Sequence, residues 1–349
     1  MLSVFLAISV FSAPAAPAAP TAPDHSKAYF SGLNRPATPH VEIAPSDGPV
    51  ILIVVDALRP DRMSTYGAKR PTTPNLDALA DDGLVFTNFF TNGNWTRPST
   101  ASLLSGVLPH EHQVERDSDR LAERYETLPE LLAARGIKTG AVVGNGNAGS
   151  AFGLHQGFQF YADTVKHWDG LPNADQVLDL ALPFVRENKD ERFFLMLFLI
   201  DPHDPYHAPG EFENMFVESP ETRLIRTPHW ELGRYTEAER KRMTAVYDGA
   251  VRYTDEALGR FIAELKKLGL YDKSTLMVTS DHGEAFGEHG VYLHAHHLYD
   301  ELTRAPLIVR APKMSRRGGY TPLLSQTVDI LPTLVTHAVD RFADSRPGM

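Results

Sequence analysis

The chain has 349 residues, 42% apolar and 22% charged, with a formal net charge of −10. Such a chain is globular and can bury a sizeable core, and its acidic balance, with no Lys/Arg run, excludes a nucleic-acid-binding face. It contains no cysteine, which excludes disulfides, thiolate-held zinc and a thiol nucleophile.

In chain order, residues 2–11 are almost wholly apolar and give way to Ala/Pro repeats up to Pro23. This resembles a short signal-peptide core with a small-residue cleavage region, too short to span a bilayer. No Lys or Arg precedes Lys27, so the positive start of such a peptide is missing, and an unstructured Ala/Pro extension is the alternative. The expectation is an exported protein, periplasmic or extracellular, whose only membrane contact is through this segment. Residues 1–45 are expected to lie outside the fold and residues 46–349 to form one α/β catalytic domain.

The run Val50-Ile51-Leu52-Ile53-Val54-Val55 is continuously apolar, as in a strand buried on both faces of a parallel sheet. Similar runs occupy 140–143, 193–200, 276–278 and 306–309. Helical periodicity marks 75–82, 127–134, 174–187, 237–268 and 324–338. This alternation predicts an α/β fold, a mostly parallel central sheet with helices on both faces. The stretch 202–236, rich in Pro, His and Glu, predicts a surface excursion near a site.

Ligands in such sheets bind at the carboxyl ends of strands, and acidic residues follow two of the runs there. Asp56 follows the first, and Asp281-His282-Gly283-Glu284 follows the run at 276–278. Asp56, Asp281 and His282 can share one divalent cation in a mixed oxygen and imidazole shell, although a carboxylate after a strand also serves as a helix cap. Of the 15 His residues, His203 and His207 cluster after the run at 193–200, and His289, His294, His296 and His297 follow the Asp281-His282 pair. Imidazoles around a metal suit a tetrahedral oxyanion. The run Thr96-Arg97-Pro98-Ser99-Thr100 sets hydroxyls just before a Pro that can open a helix. That reads either as an ordinary helix cap or as a hydroxyl nucleophile beside free helix amides.

These residues resemble the sulfatase branch of the alkaline-phosphatase superfamily. Asp56-Ala57-Leu58-Arg59-Pro60-Asp61 with Tyr66-Gly67 is similar to its first metal segment, Thr73 to Ala80 to the following helix, and Thr96 to Gly106 to the nucleophile motif C/S-x-P-S-R. Ser280 to Glu284, Gly287-Glu288-His289-Gly290 and Arg304 to Val309 are similar to its last metal segment and strand. The resemblance runs from about Pro49 to Leu334. It implies that Asp56, Asp281, His282 and Thr96 hold the metal, with Thr96 also the nucleophile. It further implies that His203 contacts the substrate's non-bridging oxygens and that His294 and His296 bind substrate or assist the leaving group. Tyr299, Asp300 and Glu301 are expected to be structural, and Tyr206 and His207 to pack the loop.

Four departures from the family pattern bear on the chemistry. Thr96 stands where sulfatases carry the Cys or Ser that becomes formylglycine, and its β-branch prevents the aldehyde. Thr100 replaces the motif's Arg. Asn145 and Asn147 stand where the family has a sulfate-binding Lys and a His. His282 follows Asp281 where sulfatases usually have Asn. A Thr nucleophile with an Asp-His pair resembles the phospho branch, namely phosphoglycerol and phosphoethanolamine transferases and phosphodiesterases.

The expected function is therefore metal-dependent hydrolysis or transfer of an anionic ester through Thr96, with phosphodiesters favoured on chemistry and Asn145 among the substrate-binding residues. The alternatives are a sulfatase working without formylglycine and a catalytically degenerate metal-binding protein. The expected cofactor is one divalent ion, Mn²⁺ or Zn²⁺ ahead of Ca²⁺ or Mg²⁺. A second metal at Asp201, His203 or His207 is an additional possibility. The expected partner is a small-molecule, lipid-linked or glycan-linked anionic ester, not a nucleic acid. The family's smaller C-terminal subdomain is expected to be absent.

Overall fold

The computed structural model describes residues 43–164, 171–229 and 235–338. Eight strands form one sheet in the order β10-β2-β9-β6-β1-β5-β3-β4. They are β1 (Val50–Val55), β2 (Leu84–Phe90), β3 (Lys138–Val143), β4 (Phe160–Asp163), β5 (Phe193–Leu199), β6 (Thr275–Thr279), β9 (Leu307–Arg310) and β10 (Tyr320–Gln326). Two short strands, β7 (Ala285–Phe286) and β8 (Tyr292–Leu293), pair as a separate hairpin. Every ladder of the large sheet is parallel except those of β9, which runs antiparallel to β2 and β6.

The helices are α1 (Pro74–Asp81), α2 (Thr96–Ser105), α3 (Leu128–Ala133), α4 (Ala174–Glu187), α5 (Glu237–Lys267) and α6 (Ile330–Ala338), besides single turns. Strand periodicity divides the core. Ile51, Ile53, Val55, Leu195 and Leu197 face the layer built from α1, α4 and α5. Val50, Leu52, Val54, Phe194, Met196 and Phe198 face α2, α3 and α6. This alternation explains why β1 and β5 read as unbroken apolar runs: both faces of these strands are covered.

Local signals set the helix starts. Thr127 with Glu130, Asn173 with Gln176 and Thr236 with Glu239 form capping boxes at α3, α4 and α5, each satisfying amides left free at a helix start. α1 begins differently. Thr73 supplies no side-chain cap; instead Asp255 of α5 accepts from the Asn75 amide at 3.1 Å and the Leu76 amide at 2.8 Å.

Three expectations need correction. The helix expected over 324–338 starts only at Ile330, after strand β10 and a 3-10 turn. Pro322 and the exposed Leu323 and Leu324 suit an edge strand, and the β10–β2 ladder shifts register between Thr321 and Leu324. Strands β2 and β4 lie where no strand was expected. The leader expected over 1–45 falls outside the described residues as far as 42. From 43 onward the chain already pairs, because Ile43 bridges Met314 and the Ala44 amide donates to the Lys313 carbonyl at 3.0 Å.

Candidate metal and nucleophile site

Strands β6, β1, β5 and β3 are neighbours and mutually parallel, so their carboxyl ends open on one edge of the sheet. There the chain delivers Asp281-His282, Asp56, Asp201 to His203, and Asn145. Helix α2 points its N-terminus at the same edge. Pro98 is not the helix start expected from sequence, since the helix opens two residues earlier, at Thr96, with Trp95 as the uncapped N-cap. Thr96 is therefore not a cap. Its Oγ1 lies 3.4 Å from His282 Nε2 and accepts from Asn145 Nδ2 at 3.2 Å.

Asp56, Asp281 and His282 are completely buried, and one ligand atom from each lies within 4.8 Å of the others. His282 Nδ1 is 2.8 Å from the Gly283 carbonyl, which can only accept, so Nδ1 carries the proton. In the neutral ring the Nε2 lone pair then faces Asp56 Oδ1 at 3.2 Å and Asp281 Oδ2 at 3.4 Å. Both oxygens are buried without a hydrogen-bond partner. Three lone-pair donors converging on one dry point require a positive charge between them. The donor set thus fits a divalent cation of the mixed oxygen and nitrogen type, with Thr96 Oγ1 in reach as a fourth ligand.

The electrostatics agree. Burial opposes ionisation of Asp56, but His203, His282 and Asn145 outweigh it and hold the carboxyl below its usual range. Burial and the neighbouring Asp56 push Asp281 up. Burial pulls His282 down, yet Asp281 and Asp56 prevail and raise it.

A second histidine layer covers this group. The His294 ring lies 4.3 Å from that of His282, and the His203 ring lies 4.7 Å from that of His294. Glu284, fully buried, faces His294 Nδ1 at 3.2 Å, and Asp204 faces His203 Nδ1 at 3.2 Å. Burial lowers the His294 pKa; His203 stays raised despite burial because Asp56, Asp204 and Glu284 surround it.

Of the residues expected at the site, Asp56, Thr96, Asn145, His203, Asp281, His282 and His294 come together. Besides Asp56, Asp281 and His282, the group His203, Asp204 and His294 could hold an ion; His296 is exposed and belongs to neither group among the described residues. Asn145 takes a different place from the substrate contact expected: it donates to Asp56 Oδ2 at 2.5 Å as well as to Thr96, while its own oxygen accepts from the Asn147 amide at 2.8 Å. Asp201 and His207 do not form a second metal group. Asp201 accepts from the Ala174 amide at 3.1 Å at the start of α4, and His207 is exposed. Tyr206 is buried against Tyr247 and Phe286. Sequence reasoning missed Glu284 and Asp204 as partners of the two histidines, although Glu284 sits inside the Asp-His-Gly-Glu motif.

Fold and site together define a candidate metal site at one edge of the sheet of an alkaline-phosphatase-like α/β sandwich. The chain belongs to the Sulfatase family, which it matches over residues 49–340. It is 28% identical over 334 residues to an ulvan-active sulfatase of Formosa agariphila, covering 87% of this chain and 64% of that protein. It is likewise 28% identical over 293 residues to human N-sulphoglucosamine sulphohydrolase, covering 76% of this chain and 57% of the relative. The chain thus spans less than two thirds of the length of these two relatives. In fold it resembles the phosphonate monoester hydrolase of Agrobacterium radiobacter, with a TM-score of 0.69 at 22% identity, over 82% of this chain and 73% of that one.

Proposed function

We propose that the chain cleaves or transfers a phosphate or sulfate ester with Thr96 as nucleophile, and that phosphodiesters of the phosphoglycerol or phosphoethanolamine type are its preferred class. The observation that carries this reading is the placement of Asn145. At the position where sulfatases hold a substrate-binding Lys, this side chain is committed to Thr96 Oγ1 and Asp56 Oδ2. The site thereby has a neutral amide in place of that Lys, and gains a donor aimed at the attacking oxygen.

Asp56, Asp281, His282 and Thr96 would hold the metal; when bound, a divalent cation supplies the charge that lets Thr96 lose its proton to solvent and neutralises ester oxygens. Thr96 Oγ1 forms a bond to phosphorus in line with the departing oxygen, whose bond to phosphorus breaks. Asn145 Nδ2 orients the attacking oxygen. The amides of the first turn of α2 face the equatorial oxygens. His203, held on the protonated side by the carboxylates around it, gives its proton to the departing alkoxide. Water or an acceptor alcohol then attacks the phospho-Thr and frees Thr96. Mn²⁺ or Zn²⁺ suits the mixed ligands better than Ca²⁺ or Mg²⁺. Export, with membrane contact only through residues 1–45, completes the reading.

Family membership favours a second reading, a sulfate-ester hydrolase that works without formylglycine. The test is turnover of an aryl phosphodiester and an aryl sulfate by one Mn²⁺-loaded preparation and by Thr96→Ala. The expected result is phosphodiester turnover that falls by about 10³-fold or more in the variant. Sulfate turnover in excess of phosphodiester turnover reverses the preference, and unchanged turnover removes Thr96 from the mechanism. A preparation that takes up no divalent cation supports neither enzyme reading, and one that takes it up but turns over neither ester leaves the degenerate metal-binding protein.

A further inference from the structure

Arg97 follows Thr96 directly in the chain and is 3% exposed. Its guanidinium carbon lies 3.4 Å from the ring centre of Phe152 and 5.2 Å from that of Trp95, so two aromatic rings confine it. Nη1 donates to the Arg116 carbonyl at 3.1 Å and to the Asp117 carbonyl, and Nη2 donates to Asn147 Oδ1 at 2.8 Å. All three acceptors are neutral. Burial pulls the Arg97 pKa below the usual guanidinium value, and the fields of Asp117 and Asp119 offset this only in part. A buried cation without a paired carboxylate adds little to stability. Its contribution lies in what it holds in place.

What it holds leads back to the nucleophile. Asn147 sits in the single turn Gly146–Ala148, which Asn145 caps after β3. The Asn147 amide donates to Asn145 Oδ1 at 2.8 Å. A backbone N–H can only donate, so it fixes the oxygen end of the Asn145 side chain and turns Nδ2 towards Thr96 Oγ1 at 3.2 Å and Asp56 Oδ2 at 2.5 Å. With the amide reversed, Asn145 would set donor against donor at Asn147 and acceptor against acceptor at Asp56. The links Arg97 to Asn147, Asn147 to Asn145 and Asn145 to Thr96 close into a ring through the peptide bond between Thr96 and Arg97. The guanidinium is the rigid member of that ring, since its planar fork bonds two separate segments at once. Opening the ring at Arg97 frees the turn that orients Asn145.

We propose that Arg97 is a positioning residue for the nucleophile: it anchors the 145–148 turn through Asn147 and so keeps the Asn145 amide aimed at Thr96. This rests on the proposed function only in taking Thr96 as the attacking oxygen. The orientation of Asn145 is the same whichever ester is cleaved.

The test has a kinetic and a spectroscopic arm, both on the full chain. Arg97→Gln, checked for native circular dichroism and unchanged metal content, is expected to lower kcat for the aryl phosphodiester about tenfold with KM little changed. The Arg97→Gln/Asn145→Ala double variant is expected to be no slower than Asn145→Ala alone, because Arg97 acts through that amide. Asn147→Ala breaks the same bond from its other end and carries the same comparison where Arg97→Gln does not fold. In ¹H–¹⁵N spectra the Asn145 side-chain amide, assigned by its loss in Asn145→Ala, is expected to exchange its protons with solvent about tenfold or more faster in Arg97→Gln than in the wild type. Losses that multiply in the double variant overturn the proposal, as does a lowered Tm with kcat and exchange unchanged. A wild type that turns over neither ester but whose Asn145 exchange still depends on Arg97 refutes the proposed function and leaves the positioning role standing.

Discussion

Asn145 has every polar atom of its side chain engaged close to Thr96, so removing it tests the orienting role proposed for it together with its hold on Asp56. Asn145→Ala is expected to lower kcat by about 10²-fold, within the range for losing one preorganised donor, with KM little changed. Steady-state kinetics on the aryl phosphodiester check this. A residue remote from the chemistry sets a pH limit on the fold itself. His112 Nδ1 accepts from the Val114 amide at 3.0 Å, and Nε2 lies 3.0 Å from Ser102 Oγ. Only the neutral ring can make the first bond. Burial pulls its pKa down from 6.5 to about 4. Between these values the unfolded chain binds the extra proton and the folded chain does not, so stability rises with pH. The contribution is complete above pH 6.5 and is lost as pH falls towards 4. In His112→Gln, denaturation midpoints measured across that window should depend less steeply on pH.

At the scale of elements, a close approach supports the site and a long-range cap supports helix α1. A Cβ at Gly283 would stand 2.0 Å from the Glu301 carbonyl oxygen. The Gly283 carbonyl meanwhile faces His282 Nδ1 and so fixes which ring nitrogen looks inward. Gly283→Ala is therefore expected to weaken divalent-metal uptake, read by metal analysis after dialysis, even in molecules that fold. Asp255 instead caps α1 from across the fold; Asp255→Ala should cost about 1–3 kcal/mol in urea denaturation. The elements also differ in how readable they were. β1 was legible because two covered faces leave no room for a polar residue. β10 was not, because Leu323 and Leu324 run on towards Leu331 and Leu334 at a spacing that suits a helix. Only pairing with β2, a long-range fact, decides for a strand. Asp56 was legible because it directly follows an apolar run, and Asp281 and His282 because they come just beyond another, after Thr279-Ser280. The Glu284–His294 pairing was hidden, since it depends on the hairpin of β7 and β8 folding one end of a short loop onto the other.

Across the whole molecule, the cation uptake proposed for this site would be coupled to folding. Asp56 and Asp281 hold orphaned, fully buried oxygens that a proton or a metal must neutralise. Metal at about 100 times its Kd adds about 2.7 kcal/mol to stability, and for a domain of about 300 residues that raises Tm by roughly 4 °C. Differential scanning calorimetry with and without chelator measures the difference, and no change would mean that the group takes no metal. Among the described residues no helix is long and apolar enough to cross a membrane.

The gathering of the site from distant parts of one sheet edge also fixes when it can exist. Thr96 and His282 are 186 residues apart in sequence. At a synthesis rate of about 5–20 residues per second, roughly 10–40 s separate their emergence from the ribosome. Throughout that interval the nascent chain carries Thr96 and Asp56 without Asp281 and His282. On the proposed mechanism the hydroxyl stays silent until the strand before Asp281 has been made and inserted beside β1.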